Sequence, residues 1–253
     1  MPTEDRGGRG SDHWFFLTAL RAAPGQEVDL SSISHQLGTV LRLKKGIVIT
    51  LLDGSGAAYP TRIEALDAKK ATGRVLGREP VRSEPVIELT LFQCALKRDR
   101  FEWVLQKGTE LGVSRFVPVI SSRTVVRPAA RLLPKYERWR AIIREAAEQS
   151  RRGRLPVLCD PVQWDEAIDK GRGLRLLAWE DADEKSSARR SAADDADEVS
   201  LIVGPEGGIS SEEAAIASEK GWLLMSLGPR ILRAETAAVA AVTVVMHSAG
   251  ELG

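Results

Sequence analysis

The chain has 253 residues, of which 43% are hydrophobic, and its formal net charge at pH 7 is +1, so it is long enough for one large domain or for a small and a medium one. No apolar run approaches the ~18 residues that cross a membrane, and the start MPTEDRGGRGSDH lacks the apolar core of a signal peptide, so we expect a cytoplasmic protein. Two cysteines, Cys94 and Cys159, without a CxxC pair or a Cys/His cluster argue against disulfides and against a metal site.

The small net charge hides two segments of opposite sign. Residues 97–154 carry fifteen Lys or Arg against six Asp or Glu, whereas residues 180–198 carry eight acids against three bases. The basic segment suits a polyanion such as RNA, with an ordinary charged helix surface as the alternative. The acidic segment is longer than most loops in compact domains, and its composition favours disorder.

The first part of the chain predicts a small β-rich unit. Residues 1–12 are rich in glycine and charge, which is typical of a flexible terminus. From Trp14 onward, short apolar runs predict strands, with a hairpin turn at residues 53–56. Apolar residues at helical spacing predict one short helix over residues 31–41.

Residues 78–85, with two prolines, predict a linker, and the pattern after them alternates between strand and helix. Six strands in such an alternation indicate a mostly parallel sheet. The strands are predicted at residues 86–95, 115–120, 155–159, 174–179, 199–203 and 222–227, and the helices at residues 99–111, 135–149, 163–170, 212–220 and 235–247. The last helix is apolar on all sides, so we expect it to be buried.

Two glycine-containing turns follow the last two strands. GPEGG at residues 204–208 precedes a helix with Ser210 and Ser211 as N-cap candidates, and GPRILR at residues 228–233 precedes the apolar helix. The carboxyl ends of parallel strands share one edge of the sheet, so we expect both turns to line one pocket. Glycine lets main-chain groups approach an adenine or a ribose. The spacing is neither that of a P-loop nor that of a dinucleotide fingerprint, and a lone turn of this kind would more often be a tight connection.

These turns and their surroundings resemble a known family. GPEGGISSEE followed by SLGPRILRAETAAVAAV is similar to the paired cofactor loops of the SPOUT methyltransferases, specifically the RsmE family. The resemblance extends upstream through LKRDRFEWVLQKGTELGVSRFVPVISSRT and REAAEQSRRGRLPV. It implies transfer of a methyl group from S-adenosyl-L-methionine (SAM) to N3 of a uridine in 16S ribosomal RNA. It also implies a homodimer that acts on the RNA or on the assembled small subunit.

The same resemblance implies an α/β fold in two domains. A PUA-like β-barrel would occupy residues 13–77, where it would either bind RNA or only stabilise the protein, and a SPOUT domain with a parallel sheet and a C-terminal trefoil knot would occupy residues 78–253. General topology rules speak against a knot, so the knot rests on the resemblance alone. The family tends to have an arginine directly before the Phe-Phe pair, where this chain has Trp14. Trp14 would either stack on a base or pack in the core.

Site residues follow from the chemistry and from the matching motifs. Methylation of uracil N3 benefits from a cation near the developing anion, for which Arg233 is the first candidate, with a salt bridge to a glutamate as the alternative. Glu206 and Glu235 are candidates for a general base or for an orienting group. The cofactor is expected to contact Ile202, Gly204, Pro205, Glu206, Gly207, Gly208, Leu227, Gly228, Ile231, Leu232, Arg233, Thr236 and Ala237. RNA is expected to contact Arg98, Arg100, Arg123, Arg144, Glu145, Gln149 and Arg151.

Other functions stay open at this point. They are a SPOUT ribose 2′-O-methyltransferase, a non-catalytic RNA-binding factor in ribosome assembly, and a nucleotide-binding regulatory protein that binds no RNA. The intact glycines and Arg233 argue against an inactive pocket, and the basic segment argues against a protein without a nucleic-acid partner. Only the closer family resemblance favours base over ribose methylation.

Overall fold

The computed structural model describes residues 13–17, 20, 22–67, 70–182 and 196–252. The chain divides into two compact units, of which the first ends at Glu84 and also includes Ala147–Arg154, while the second consists of Pro85–Ala146 and the chain from Leu155. The predicted flexible terminus and most of the predicted acidic loop lie outside the described residues. No helix within the described ranges is long and apolar enough to cross a membrane.

The first unit is built on a six-stranded sheet. Its strands are β1 (Trp14–Phe16), β2 (Glu27–Asp29), β3 (Val48–Leu52), β4 (Ala57–Leu66), β5 (Ala71–Val75) and β6 (Glu79–Pro80). They follow the order β1-β3-β4-β5-β2 with β6 on β4, and only β1 and β3 run parallel. The predicted hairpin is confirmed, because β3 and β4 pair antiparallel across residues 53–56.

Two local predictions in this unit need correction. Residues 31–40 form consecutive 3-10, α and π turns instead of one regular helix, and Leu37 is fully buried among them. Gly38 and Thr39, both weak helix formers, lie in the π-helical part. The predicted linker contains β6, where Pro80 is tolerated because an edge strand has a free side. The first unit therefore continues beyond residue 77.

The segment Ala147–Arg154 is held in the first unit by main-chain and side-chain bonds. Glu148 Oε1 accepts the Phe16 N–H at 2.9 Å, and the Gly153 carbonyl accepts the Gly56 N–H at 3.2 Å. Arg152, whose side chain is buried, pairs with Glu84 at 3.2 Å. A buried pair of this kind is costly to break, because either partner alone would leave an uncompensated charge.

The second unit is an α/β layer structure around a seven-stranded sheet in which every pair is parallel. The strands are β7 (Glu88–Cys94), β8 (Arg115–Ile120), β9 (Val157–Leu158), β10 (Val162–Gln163), β11 (Leu174–Ala178), β12 (Glu198–Val203) and β13 (Leu223–Met225). The helices are α1 (Arg100–Glu110), α2 (Tyr136–Gln149), α3 (Trp164–Lys170), α4 (Ser211–Glu219) and α5 (Ala234–Ser248), and the end of α2 from Ala147 onward belongs to the first unit. The order is β10-β8-β7-β12-β11-β13, with β9 on β8. The predicted parallel sheet is confirmed, and the two-residue strand β10 was too short to be recognised from the sequence.

Alternation along β7 distributes the core over the two faces of the sheet. Leu89 and Leu91 pack in the cluster that contains α1, α2 and α5, while Phe92 and Cys94 pack in the cluster that contains α3 and α4. Burial of the apolar helix α5 is only partly confirmed. Its inner face is buried, whereas Thr243 and His247 on the other face are exposed.

Candidate active site

Four chain segments converge at the carboxyl edge of the parallel sheet. The loop 204–210 follows β12, and the loop 226–233 follows β13. Strand β11 lies between these two, because Ala178 is opposite both Val203 and Met225. The connection from β7 to α1 approaches from the other side of β12. This is the edge at which open α/β sheets bind ligands.

A cavity of about 560 Å³ lies at this edge, which is within the range of ligand pockets. Both glycine-containing loops line it, so the single pocket expected from the sequence is present. Its walls consist of Arg100, Ala178, Trp179, Glu180, Val203, Gly204, Pro205, Glu206, Gly207, Gly208, Ile209, Leu227, Gly228, Arg230, Ile231, Leu232, Arg233, Ala234 and Ala237.

Two of the predicted cofactor residues lie outside this lining. Ile202 is fully buried in the core on the side of α3 and α4, because successive residues of β12 alternate between the faces; Val203 lines the pocket instead. Thr236 is exposed on the first turn of α5 without lining the cavity. The other eleven predicted cofactor residues line the pocket.

The first loop is shaped by its neighbours. Gly208 has φ +71°, and a Cβ there would collide with the Glu180 carboxylate. The carboxamide of Gln93, fully buried at the end of β7, donates to the carbonyls of Val203 at 3.4 Å and Gly204 at 3.3 Å. Ser210 caps α4 through a capping box with Glu213, which confirms one of the two predicted caps. The positive φ of Gly208 therefore favours glycine at this position of the loop.

Arg100 lies between two glutamates at the pocket wall. Its Nη1 is 3.6 Å from Glu206 Oε1, and its Nε is 3.7 Å from Glu235 Oε1. Glu206 Oε1 also accepts the Lys97 N–H at 2.9 Å. The Oε2 atoms of both glutamates are shielded and have no hydrogen-bond partner among the described residues. Because both carboxylates are paired with Arg100, this arrangement favours an orienting role over a general base.

Arg233 is at the N-cap of α5, with an extended backbone at φ −64° and ψ 149°. Its side chain is exposed and lines the cavity, and it makes no ion pair within the described part of the chain. The glutamates that might have neutralised it pair with Arg100 instead. The N-terminus of α5 adds partial positive charge, so this end of the pocket attracts negative charge.

The predicted RNA-binding residues are dispersed. Arg123 lies beside the first loop and donates from Nη1 to the Gly207 carbonyl at 3.0 Å. Arg98 is exposed just before α1, with φ +58°. Glu145 and Gln149 are exposed one turn apart on α2, and Arg144 lies on the same helix. Arg151 follows α2 with φ +61°, and of the seven predicted residues only Arg100 lines the pocket.

Sequence reasoning missed Trp179 and Glu180, which also line the pocket. Trp179 and Glu180 directly follow β11, so the rule that placed the two glycine turns at the sheet edge would have found them. Cys94 is fully buried at the end of β7, and burial raises the pKa of its thiol to about 12.

Comparison with known proteins agrees with this geometry. The family model of the RNA methyltransferase domain matches residues 82–246, and that of the RNA methyltransferase PUA domain matches residues 32–76. The ribosomal RNA small subunit methyltransferase E of Mycobacterium bovis is 35% identical over 82% of this chain and 80% of its own length. The chain belongs to this methyltransferase E family. The Synechocystis member is 34% identical over 82% of this chain and 68% of its own length.

Solved structures of similar proteins share the fold. The methyltransferase E of Neisseria gonorrhoeae bound to SAM is 35% identical, with a TM-score of 0.83 over 93% of this chain and 97% of the other. A methyltransferase of Legionella pneumophila in complex with SAM is 32% identical, with a TM-score of 0.85 over 94% of this chain and 98% of the other. The second unit is thus the methyltransferase fold of this family, and the first unit contains its PUA-like part.

Proposed function

We propose that this protein transfers a methyl group from SAM to N3 of a uridine in 16S ribosomal RNA. The observation that carries the proposal is the pocket between two glycine-containing loops, with an arginine at the N-cap of α5 that makes no ion pair among the described residues. Family membership and the SAM-bound relatives support the cofactor and the class of substrate.

The pocket has the chemistry that an adenosine cofactor requires. Main chain of both loops lines the cavity, and Leu227, Leu232 and Ala237 supply apolar wall against which an adenine can pack. Gly228 has φ +100° and open space beside it, so the second loop presents its backbone without a side chain. When bound, SAM supplies an electrophilic methyl group, and the protein has to orient the acceptor and stabilise its charge.

Arg233 is suited to stabilise that charge. Uracil that loses its N3 proton spreads the negative charge over two carbonyl oxygens, and a planar guanidinium can donate to both. The N-cap position of Arg233 fixes its backbone, while the absence of an ion pair in the described chain leaves its donors available. Arg100 holds Glu206 and Glu235 in place beside this centre.

RNA is held by basic residues outside the pocket. Arg98 and Arg123 are exposed near the loops that line the cavity, and the basic segment 97–154 contains fifteen cationic side chains. Contacts of this kind position phosphates and carry no sequence information. The uridine is therefore selected by the pocket and by the shape of the RNA.

We also propose a homodimer formed through the outer face of α5. Val239, Ala240, Thr243 and Val244 lie on this face, and all are at least partly exposed. Small and β-branched side chains at helical spacing allow close approach of a second helix. A two-fold interface would place the same face on both copies.

The test is methylation of small subunits or 16S RNA lacking the modification, with isotope-labelled SAM and purified protein. Nucleoside mass spectrometry is expected to show labelled 3-methyluridine at one position. Label in a ribose 2′-O-methyl nucleoside would instead identify the protein as a ribose 2′-O-methyltransferase. No labelled nucleoside with any form of the subunit would refute it.

A further inference from the structure

Trp179 and Glu180 form a part of the pocket wall that neither glycine loop provides. They follow β11, whose neighbours in the sheet are β12 and β13, so they lie between the two loops. Adjacent strands are about 4.8 Å apart, so the edge from β13 to β7 spans roughly 14 Å. A ligand with one end at the second loop would have its next part over the end of β11.

Trp179 is held by one main-chain and one side-chain hydrogen bond. The Trp179 N–H donates to the Met225 carbonyl at 3.1 Å, and its indole Nε1 donates to the Ile209 carbonyl at 3.3 Å. Met225 ends β13, and Ile209 belongs to the first loop. Glu180 therefore follows a residue whose main chain is bonded to the end of β13 and whose side chain is bonded to the first loop.

The Glu180 carboxylate is close to the first loop and has no protein partner. It lies so near Gly208 that a Cβ there would collide with it. It lines the cavity, its residue is exposed, and it makes neither a hydrogen bond nor an ion pair within the part of the chain that the structure describes. A carboxylate is an acceptor with two oxygens, so its natural ligand is a pair of neighbouring donors.

We propose, on the basis of the proposed function, that Glu180 binds the ribose of the cofactor by accepting hydrogen bonds from its 2′- and 3′-hydroxyl groups. Adenine against the second loop, which follows β13, would place the ribose over the end of the neighbouring strand β11. A vicinal diol offers the two donors that one carboxylate accepts, and acidic residues after a strand bind ribose in other α/β sheets. Glu180 is then a specificity-determining residue for the ribonucleoside.

The experiment measures binding of S-adenosylhomocysteine and its 2′-deoxy and 3′-deoxy analogues by calorimetry. In the unchanged protein, loss of one hydroxyl should weaken binding about 10- to 100-fold, the range for a hydrogen bond to a charged group. Glu180→Ala should weaken binding of the parent compound similarly and bind all three compounds within about twofold of one another. Glu180→Gln keeps the shape of the side chain and should discriminate less than the unchanged protein. Asp181→Asn is the matched control, because Asp181 is the next carboxylate along the chain, is exposed and does not line the pocket.

Full discrimination between the three compounds in both Glu180 variants would overturn the inference. So would variants that keep this discrimination but no longer distinguish the parent compound from its analogue lacking the adenine amino group, since Glu180 would then contact the base. Thermal melting shows whether each variant folds. If Glu180→Ala does not fold, the discrimination measured with Glu180→Gln decides whether the inference holds. If the unchanged protein does not bind S-adenosylhomocysteine at all, the proposed function fails together with the inference about Glu180. If the unchanged protein binds it but the Glu180 variants keep full discrimination, only the inference about Glu180 fails.

Discussion

Replacement of Arg233 by alanine tests the proposed chemical step. The guanidinium lines the pocket without a competing ion pair among the described residues, so its charge is available to a developing uracil anion. A unit charge about 4 Å away at an effective dielectric constant of about 20 contributes roughly 4 kcal/mol, or about 1000-fold in rate. Because the side chain is exposed to solvent, we expect a loss of about 100- to 1000-fold in the methyl-transfer rate.

The assay is single-turnover transfer with protein in excess over RNA, alongside calorimetric measurement of cofactor binding. Arg233→Lys should restore part of the rate, because a point charge cannot contact two oxygens as the planar group does. Arg230→Ala is the matched control, since it removes the same charge from an exposed position in the same loop. We expect it to cost less than about tenfold, because the Arg230 charge is exposed to solvent, where it is screened, and does not lie at the N-cap of α5. Higher pH should restore part of the Arg233→Ala rate by deprotonating the uracil.

The reasoning is refuted if Arg233→Ala loses cofactor binding while single-turnover transfer at saturating cofactor is unchanged. Arg233 would then be a clamp for the cofactor. Equal losses for Arg233→Ala and Arg230→Ala would also refute it, because the effect would then depend on the charge of the loop and not on the N-cap position.

Three further predictions concern other parts of the molecule. Burial raises the pKa of Asp53, but hydrogen bonds from Ser55 and Tyr59 outweigh it and hold the pKa below its usual range. The resulting stability is present above an unfolded pKa of about 3.9 and is lost as pH falls through the folded pKa. Asp53→Ala should therefore lower the free energy of unfolding in urea by about 1–2 kcal/mol at pH 7, and an equal loss at pH 2 would contradict this. Arg98→Glu should weaken RNA binding in filter-binding titrations. It should also reduce the slope of the logarithm of the binding constant against the logarithm of salt concentration by the amount expected for about one to two phosphate contacts. An unchanged slope would place Arg98 outside the RNA interface. Ala240→Glu, on the outer face of α5, should convert a dimer into a monomer of about 27.6 kDa in light scattering, and a variant that stays dimeric would move the interface elsewhere.

Local signals in the sequence were sufficient for most elements of the second unit. Strand β8 was predicted with the bounds that the structure has, because an apolar run between polar turns is a local pattern. The start of α4 was predictable from Ser210, since capping depends on residues only three apart. Strand β6 was missed because only its partner β4 stabilises it.

The sequence by itself determined the two glycine turns, the parallel sheet edge at which they meet and, through resemblance, the family. The proposed knot still depends on that resemblance. Tertiary structure alone decided the charge arrangement, because ion pairs depend on side chains that are distant in the sequence. Arg100, expected to contact RNA, lies between Glu206 and Glu235, and this pairing leaves Arg233 unpaired in the described chain. The sheet order likewise placed Glu180 between the two loops, since the neighbours of β11 are set by long-range strand pairing that no local pattern encodes.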